Sequence, residues 1–242
     1  MLIRYGNFLF RYRDALFPVV LLALFGLTRP HWPSGDRRLD DLLDLLGVSL
    51  AVVGQALRVA VIGYAYIIRG GRDRRVYAEG LVTGGLFAHC RNPLYVGNLL
   101  ILAGLLVVWN NPFTYALGIP FFVLGYVAIV AAEEAFLRDR FGAAYDAYSA
   151  AVPRWGFRPR GLRASLAGLP FDWRRVIVKE YGSAAYWVAG ACLLMLGDSL
   201  AHEPWDARPT YHAALLAGVP ATAVLWALAR WLKKSRRLVA ST

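Results

Sequence analysis

Long apolar segments constrain this chain more than any other feature. Six of them alternate with polar loops, and the longer ones exceed the ~18 residues that mark a membrane-spanning helix. A soluble domain of this length would bury an ordinary core without such segments. The six segments are Ala15–Thr28, Leu42–Ile68, Leu94–Trp109, Phe113–Ala132, Ala184–Leu200 and Tyr211–Leu232. The sequence therefore predicts an all-α fold, a polytopic membrane helical bundle with about six transmembrane helices.

The charge pattern predicts how this bundle sits in the membrane. Charged residues make up only 18% of the chain, and the net charge is +11. In a soluble protein this excess would indicate nucleic acid, but here the basic residues lie in loops between apolar segments, so we predict no nucleic-acid partner. Basic and non-basic loops alternate, which predicts a multi-pass protein of the cell (inner) membrane with both termini cytoplasmic. The basic loop after the second segment contains Arg69, Arg72, Arg74, Arg75 and Arg91.

Two long polar segments, residues 69–93 and 133–183, lie on the predicted cytoplasmic side. The second segment begins as an amphipathic helix that Gly142 bends or interrupts. We divide the chain into an N-terminal helix and loop at residues 1–41, a core at residues 42–160 and a C-terminal two-helix membrane extension at residues 161–242.

The stretch from Gly84 to Tyr95 is the first candidate for chemistry. Asn92 and Pro93 are typical of an N-cap and a first helical residue. The free N–H groups of such a helix start, with Arg91 beside them, favour an anion. The alternative is an ordinary capped helix start with an arginine that reaches to the membrane surface.

Acidic and polar residues at membrane depth are the next candidates. Glu133 and Glu134 directly follow an apolar segment, where carboxylates are costly. Alternatively they form a solvated helix end, with Glu134 paired to Arg138 four residues on. The other candidates, inside the second segment and its predicted neighbour, are Gln55, Arg58 and Asn98.

An intramembrane arginine such as Arg58 indicates either function or a structural partner, for which Asn98 is one candidate. The four histidines are scattered and the chain has no Cys-x-x-Cys motif, so we predict no metal site.

Several short motifs follow one another along the chain in an order that is typical of a known family. They are Leu81-Val82-Thr83-x-Gly85, Arg91-Asn92-Pro93-Leu94-Tyr95-Val96-Gly97, Asn111-Pro112, Glu133-Glu134, Phe141-Gly142-x-x-Tyr145-x-x-Tyr148 and Val152-Pro153-Arg154. Over residues 45–160 this order resembles the isoprenylcysteine carboxyl methyltransferases and phospholipid N-methyltransferases. This chain has Asn92 where the family usually has His, and Leu86-Phe87-Ala88 where many members have Pro-Tyr-Arg.

The resemblance implies an S-adenosylmethionine-dependent methyltransferase with a cytoplasmic cofactor-binding region. It implies catalytic roles for Arg91, Glu133 and Glu134. The cofactor-binding residues that we expect are Gly85, Phe87, His89, Arg91, Asn92, Pro93, Tyr95, Glu133, Glu134, Tyr145 and Tyr148. The expected substrate residues are Gln55, Arg58, Asn98 and Arg154.

The expected partner is a membrane lipid or a lipophilic small molecule that offers a carboxylate, a thiol or a lipid amine. A homo-oligomer is also compatible with the sequence. Two other functions remain open at this stage. One is an NADPH-dependent membrane reductase of the sterol-reductase type, and the other is a non-enzymatic membrane scaffold.

Overall fold

The computed structural model describes residues 1–65 and 76–235, and these residues form a bundle of α-helices. The helices are α1 (Leu2–Leu27), α2 (Arg37–Tyr64), α3 (Pro93–Trp109), α4 (Pro112–Phe141), α5 (Ala143–Ala151), α6 (Leu162–Leu166), α7 (Trp173–His202) and α8 (Pro209–Lys234). The predicted end of the second span and the basic loop residues Arg69, Arg72, Arg74 and Arg75 lie outside the described residues.

Helix lengths confirm the predicted all-α membrane bundle. Four of the helices, α2, α4, α7 and α8, are long and apolar enough to cross a membrane. Helix α3 is apolar but has 17 residues, so it is shorter than a usual span. Helices α1 and α7 begin well before the predicted Ala15 and Ala184, because both extend through stretches that carry arginines.

Helices α2 and α3 cross closely through pairs of glycines. A Cβ atom built on Gly47 would lie 2.6 Å from the carbonyl oxygen of Gly104, and one built on Gly54 would lie 2.5 Å from that of Gly97. Small residues let helix backbones approach in this way inside membranes. Because Gly47 faces Gly104 and Gly54 faces Gly97, the two helices are antiparallel, and the start of α3 lies near the end of α2.

The remaining helices pack around this pair. Helix α1 packs along α4 through a cluster that includes Phe17, Phe122 and Tyr126. Asn110 and Asn111 connect α3 to α4 in a tight hairpin. Asn110 adopts the left-handed conformation, with φ 44°, that asparagine tolerates better than most residues.

The C-terminal helices also contact the core. Helix α7 packs against both α2 and α3, and α8 packs against α7. Gly63, near the end of α2, accepts a hydrogen bond from the backbone of Asp172 at 2.9 Å. Asp172 is the N-cap of α7, and its side chain accepts from Arg175 N at 2.9 Å. The start of α7 is therefore fixed beside the end of α2, which places the polar side chains of α7 next to the core.

Candidate functional site

The start of α3 is formed as the sequence predicted, with one correction. Helix α3 begins at Pro93 with Asn92 as the N-cap residue. The side chain of Asn92 makes no capping bond, however. Its Nδ2 instead donates to the carbonyl oxygen of Arg154 at 3.0 Å. The expectation that the Asn92 side chain caps the helix was therefore wrong, because the chain after α5 offers it a nearby acceptor.

Glu134 is the centre of the candidate site. Its carboxylate lies 3.1 Å from Arg91 NH1 and accepts from Arg154 Nε at 3.0 Å, with a second bond from Arg154 NH2. Glu134 is 4% exposed, so these contacts replace its water. We call Arg91, Glu134 and Arg154 the Glu134 cluster. The alternative pairing of Glu134 with Arg138 was wrong, since Arg138 binds Asp146 at 2.8 Å.

The Glu134 cluster combines two cations with one carboxylate. Its net charge is therefore positive, and Arg91 lies two residues before α3, whose N-cap residue Asn92 makes no side-chain capping bond. The Nε of Arg91 is also buried without a hydrogen-bond acceptor among residues 1–65 and 76–235. A buried donor without an acceptor is costly, so this part of the site favours an anionic ligand group.

Two tyrosines of α5 pack against this cluster. Tyr145 is 1% exposed, and burial raises the pKa of its phenol. Tyr148 donates from its hydroxyl to the carbonyl oxygen of Phe87 at 2.8 Å, and burial raises the pKa of Tyr148 well above its usual range. Both phenols therefore stay protonated at neutral pH. They provide neutral aromatic surface beside the cluster.

The loop before α3 is fixed to the chain that follows α5. Arg91 N donates to the carbonyl oxygen of Pro153 at 2.9 Å. His89 is buried, and its two ring nitrogens lie 2.6 Å from the Arg158 carbonyl oxygen and 2.9 Å from Ser165 Oγ. His89 thus joins the loop before α3 to the segment after α5 and to helix α6. Gly85, with φ +59°, is the first residue of the 3₁₀ turn Gly85–Ala88 and adopts a conformation that favours glycine.

Glu133 belongs to a second cluster, because neighbouring residues on a helix point about 100° apart. Tyr95 donates to Glu133 Oε1 at 2.6 Å, and Arg13 of α1 donates to the same Tyr95 hydroxyl at 2.7 Å. The ring of Tyr95 contacts that of Tyr126 at 5.2 Å. We call Arg13, Tyr95 and Glu133 the Tyr95 relay. Arg13 was not predicted as a site residue, since the sequence placed it before the first span.

The polar residues predicted inside the membrane form a third group. Arg58 is 3% exposed and hydrogen-bonds Asn98, as the structural alternative predicted. Its main partner is Glu180 of α7, which is 3% exposed and accepts from Arg58 Nε at 2.8 Å and from Arg58 NH2 at 3.1 Å. Gln55 also donates to Glu180, at 3.1 Å. Gln55, Arg58 and Asn98 therefore lie together, whereas Arg154, predicted with them, lies at the Glu134 cluster.

Comparisons with known proteins relate this chain to one family and to two metal-resistance proteins. The sequence profile of the phospholipid methyltransferase family matches residues 43–144. The cobalt-zinc-cadmium resistance protein CzcN of Cupriavidus metallidurans is 35% identical over 142 residues, which cover 56% of this chain and 59% of that protein. The nickel-cobalt-cadmium resistance protein NccN of Alcaligenes xylosoxydans xylosoxydans is 30% identical over 158 residues, which cover 64% of this chain and 68% of that protein. No solved structure matches the chain at a significant level.

Proposed function

Because this chain belongs to the phospholipid methyltransferase family, we propose that it is an S-adenosylmethionine-dependent membrane methyltransferase. The observation that carries the proposal is the Glu134 cluster. It joins the end of α4, the start of α3 and the segment after α5 around one buried carboxylate. Arg91 and Glu134 both lie inside the part of the chain that matches the family.

The residues at this cluster fit the polar groups of S-adenosylmethionine. The carboxylate of the cofactor needs cationic or N–H donors, and Arg91 Nε, just before the start of α3, offers one. Glu134 holds Arg91 and Arg154 in place, so we assign it a positioning role in cofactor binding. Phe87 and Tyr148 offer apolar surface for the adenine.

The Tyr95 relay supplies the acceptor groups that the Glu134 cluster lacks. Glu133 accepts one hydrogen bond from Tyr95, and a carboxylate has room for about four. We propose that its remaining positions bind the amino group or a ribose hydroxyl of the cofactor. Arg13 fixes the Tyr95 hydroxyl from the other side.

The bound cofactor supplies an electrophilic methyl group on a sulfonium. The contribution of the protein is then positioning, exclusion of water and electrostatics. We propose a lipophilic acceptor from the bilayer that carries a carboxylate, a thiol or a lipid amine. A carboxylate or a thiolate needs no base. An amine or a thiol must lose a proton, and we propose that Glu133, which accepts a hydrogen bond from Tyr95, takes it up.

Calorimetry of S-adenosylmethionine binding in detergent tests the proposal. The wild type is expected to bind, and Arg91→Ala is expected to lose at least about tenfold in affinity because charge-assisted hydrogen bonds contribute ~1.5–3 kcal/mol. Arg138→Ala is the matched control, since it breaks an exposed ion pair on the same face of the protein. Binding of NADPH instead would favour the reductase, and binding of neither ligand would favour the scaffold; either result overturns the proposal.

A second candidate function comes from the relatives, which are named as resistance proteins for cobalt, zinc, cadmium and nickel. We propose that the methyl transfer of this chain serves tolerance to such metals. Deletion of the gene should then lower growth in cobalt or cadmium salts, and the wild-type gene should restore growth while Arg91→Ala should not. Equal growth of the deletion strain would contradict this role and leave the methyltransferase proposal to the binding experiment.

A further inference from the structure

Three aspartates meet at the end of the bundle opposite to the Glu134 cluster. Asp40 and Asp44 lie one turn apart on the same face at the start of α2, and Asp198 lies near the end of α7. One carboxylate oxygen of each lies within 4.8 Å of the others. We call these residues the aspartate cluster. The start of α2 is remote from the start of α3, because the two helices are antiparallel.

All three side chains are buried with too few donors. Asp40 is 4% exposed, Asp44 is 5% and Asp198 is 1%. Trp32 Nε1 donates to Asp198 Oδ2 at 3.2 Å, and the Tyr211 hydroxyl makes a long contact of 3.4 Å to Asp44 Oδ2. The Oδ1 atoms of all three aspartates have no hydrogen-bond partner within the described part of the chain. Asp40, Asp44 and Asp198 thus each have one buried carboxylate oxygen that is unsatisfied.

The cationic side chains nearby do not neutralise the cluster. Arg208 is engaged with the neighbouring Asp41 at 2.8 Å, and Arg37 is engaged with Glu203 at 3.2 Å. His202 Nδ1 bonds the Asp198 carbonyl oxygen at 3.0 Å and lies 3.5 Å from Asp198 Oδ1. Among the described residues, the ion-pair contact made to the cluster itself is therefore that of His202 with Asp198.

Buried carboxylates this close to each other require a positive charge or protons between them. We propose that the aspartate cluster is a binding site for a divalent metal cation. Two ligands of one ion can be no farther apart than two metal–oxygen bonds, which is about 4.6–5.2 Å at the distances typical of Ca²⁺. The oxygen separations are compatible with that limit. Carboxylate oxygens favour hard cations such as Ca²⁺ and Mn²⁺.

One residue of the aspartate cluster also borders a cleft. An open cleft of about 340 Å³ is lined by Asp44, Arg208 and Tyr211 among others. Asp44 thus belongs both to the buried cluster and to the wall of the cleft. A bound ion would also join α2 to α7, so it would stabilise the contact between the core and the C-terminal helices. This proposal does not depend on methyl transfer, since its residues are separate from the proposed cofactor site.

Titration with Mn²⁺ followed by electron paramagnetic resonance tests the site. The full chain is purified in detergent, stripped with a chelator and compared with Asp44→Asn and Asp198→Asn. We expect saturable binding of one Mn²⁺ by the wild type and at least about tenfold weaker binding by each variant. Asp206→Asn, which removes an exposed carboxylate at the same end of the protein, should bind like the wild type.

Thermal unfolding of the wild type adds a measurement that does not depend on the variants folding. Mn²⁺ should raise the unfolding midpoint of the stripped wild type, because it binds only the folded state. No saturable Mn²⁺ signal, an unchanged midpoint or equal binding by the aspartate variants would each overturn the proposal. Carboxyl groups that share protons in place of a cation would give the first two of these results.

Discussion

The ion pair between Arg58 and Glu180 gives the sharpest prediction about stability. Its side chains are only 4% and 3% exposed, and it joins α2 of the core to α7. Replacement of Glu180 by Leu leaves the guanidinium of Arg58 buried with Asn98 and Ser183 as neutral partners. Breaking a buried pair from one side costs ~3–5 kcal/mol, so we expect Glu180→Leu to lower the unfolding free energy by that amount.

The double variant makes the reasoning testable. In Arg58→Met with Glu180→Leu both charges of the pair are removed, while Gln55, Asn98 and Ser183 lose a hydrogen-bond partner at a cost of about 1 kcal/mol each. The double variant should therefore be more stable than Glu180→Leu alone. If the two substitutions acted independently, the double variant would lose the sum of the unfolding free energies that the two single variants lose.

Unfolding by sodium dodecyl sulfate in mixed micelles, followed by tryptophan fluorescence, measures these differences. Trp187 is a local reporter, since its Nε1 donates to Gln55 Oε1 at 3.0 Å. Glu203→Gln is the control, because its pair with the half-exposed Arg37 is worth only ~0–1 kcal/mol. A loss below 1 kcal/mol in Glu180→Leu, or a double variant less stable than both single variants, would refute the argument.

Two further changes test the helix crossing and the Tyr95 relay. Gly54→Ala should lower the unfolding free energy by ~1–3 kcal/mol, because its Cβ would meet the backbone of Gly97. Gly190→Ala, with open space around it, is the control and should be neutral or stabilising. Equal effects of the two substitutions would contradict the close crossing of α2 and α3. Tyr95→Phe removes the hydroxyl that joins Arg13 to Glu133. Turnover of an amine acceptor should therefore fall at least about a hundredfold. Unchanged turnover would exclude the Tyr95 relay from proton transfer.

The sequence predicted the parts of the fold that repeat along the chain or occur at short range. Apolar segments located the long helices, and Asn92-Pro93 located the start of α3. Partners at long range could not be predicted in the same way. Helical spacing indicated Arg138 for Glu134, but Arg154, which follows α5, binds it instead.

Arg13 and Glu180 show why the missed residues were missed. Both lie next to the predicted spans, so hydropathy assigned them to loops, and they were counted only among the charges that predict the topology. In the structure α1 and α7 extend past those limits and carry both side chains into the bundle. A charged residue within two turns of an apolar segment, on the face that the segment buries, is the signal that could have found them.

The aspartate cluster was missed for a different reason. The prediction of no metal site considered histidine and cysteine spacing, and neither Asp40 nor Asp44 was considered as a ligand. Their i, i+4 spacing places both on one helix face, but Asp198 is far away in the sequence. Only the packing of α7 against α2 brings the third carboxylate to them.

Transfer of a labelled methyl group tests the central claim most directly. The purified protein, incubated with membranes and radiolabelled S-adenosylmethionine, should transfer label to one acceptor fraction when protein, phospholipid and small molecules are separated. Glu134→Gln should lose this activity, because Arg91 and Arg154 lose the carboxylate that positions them. A wild type that transfers no label to any fraction would contradict the account.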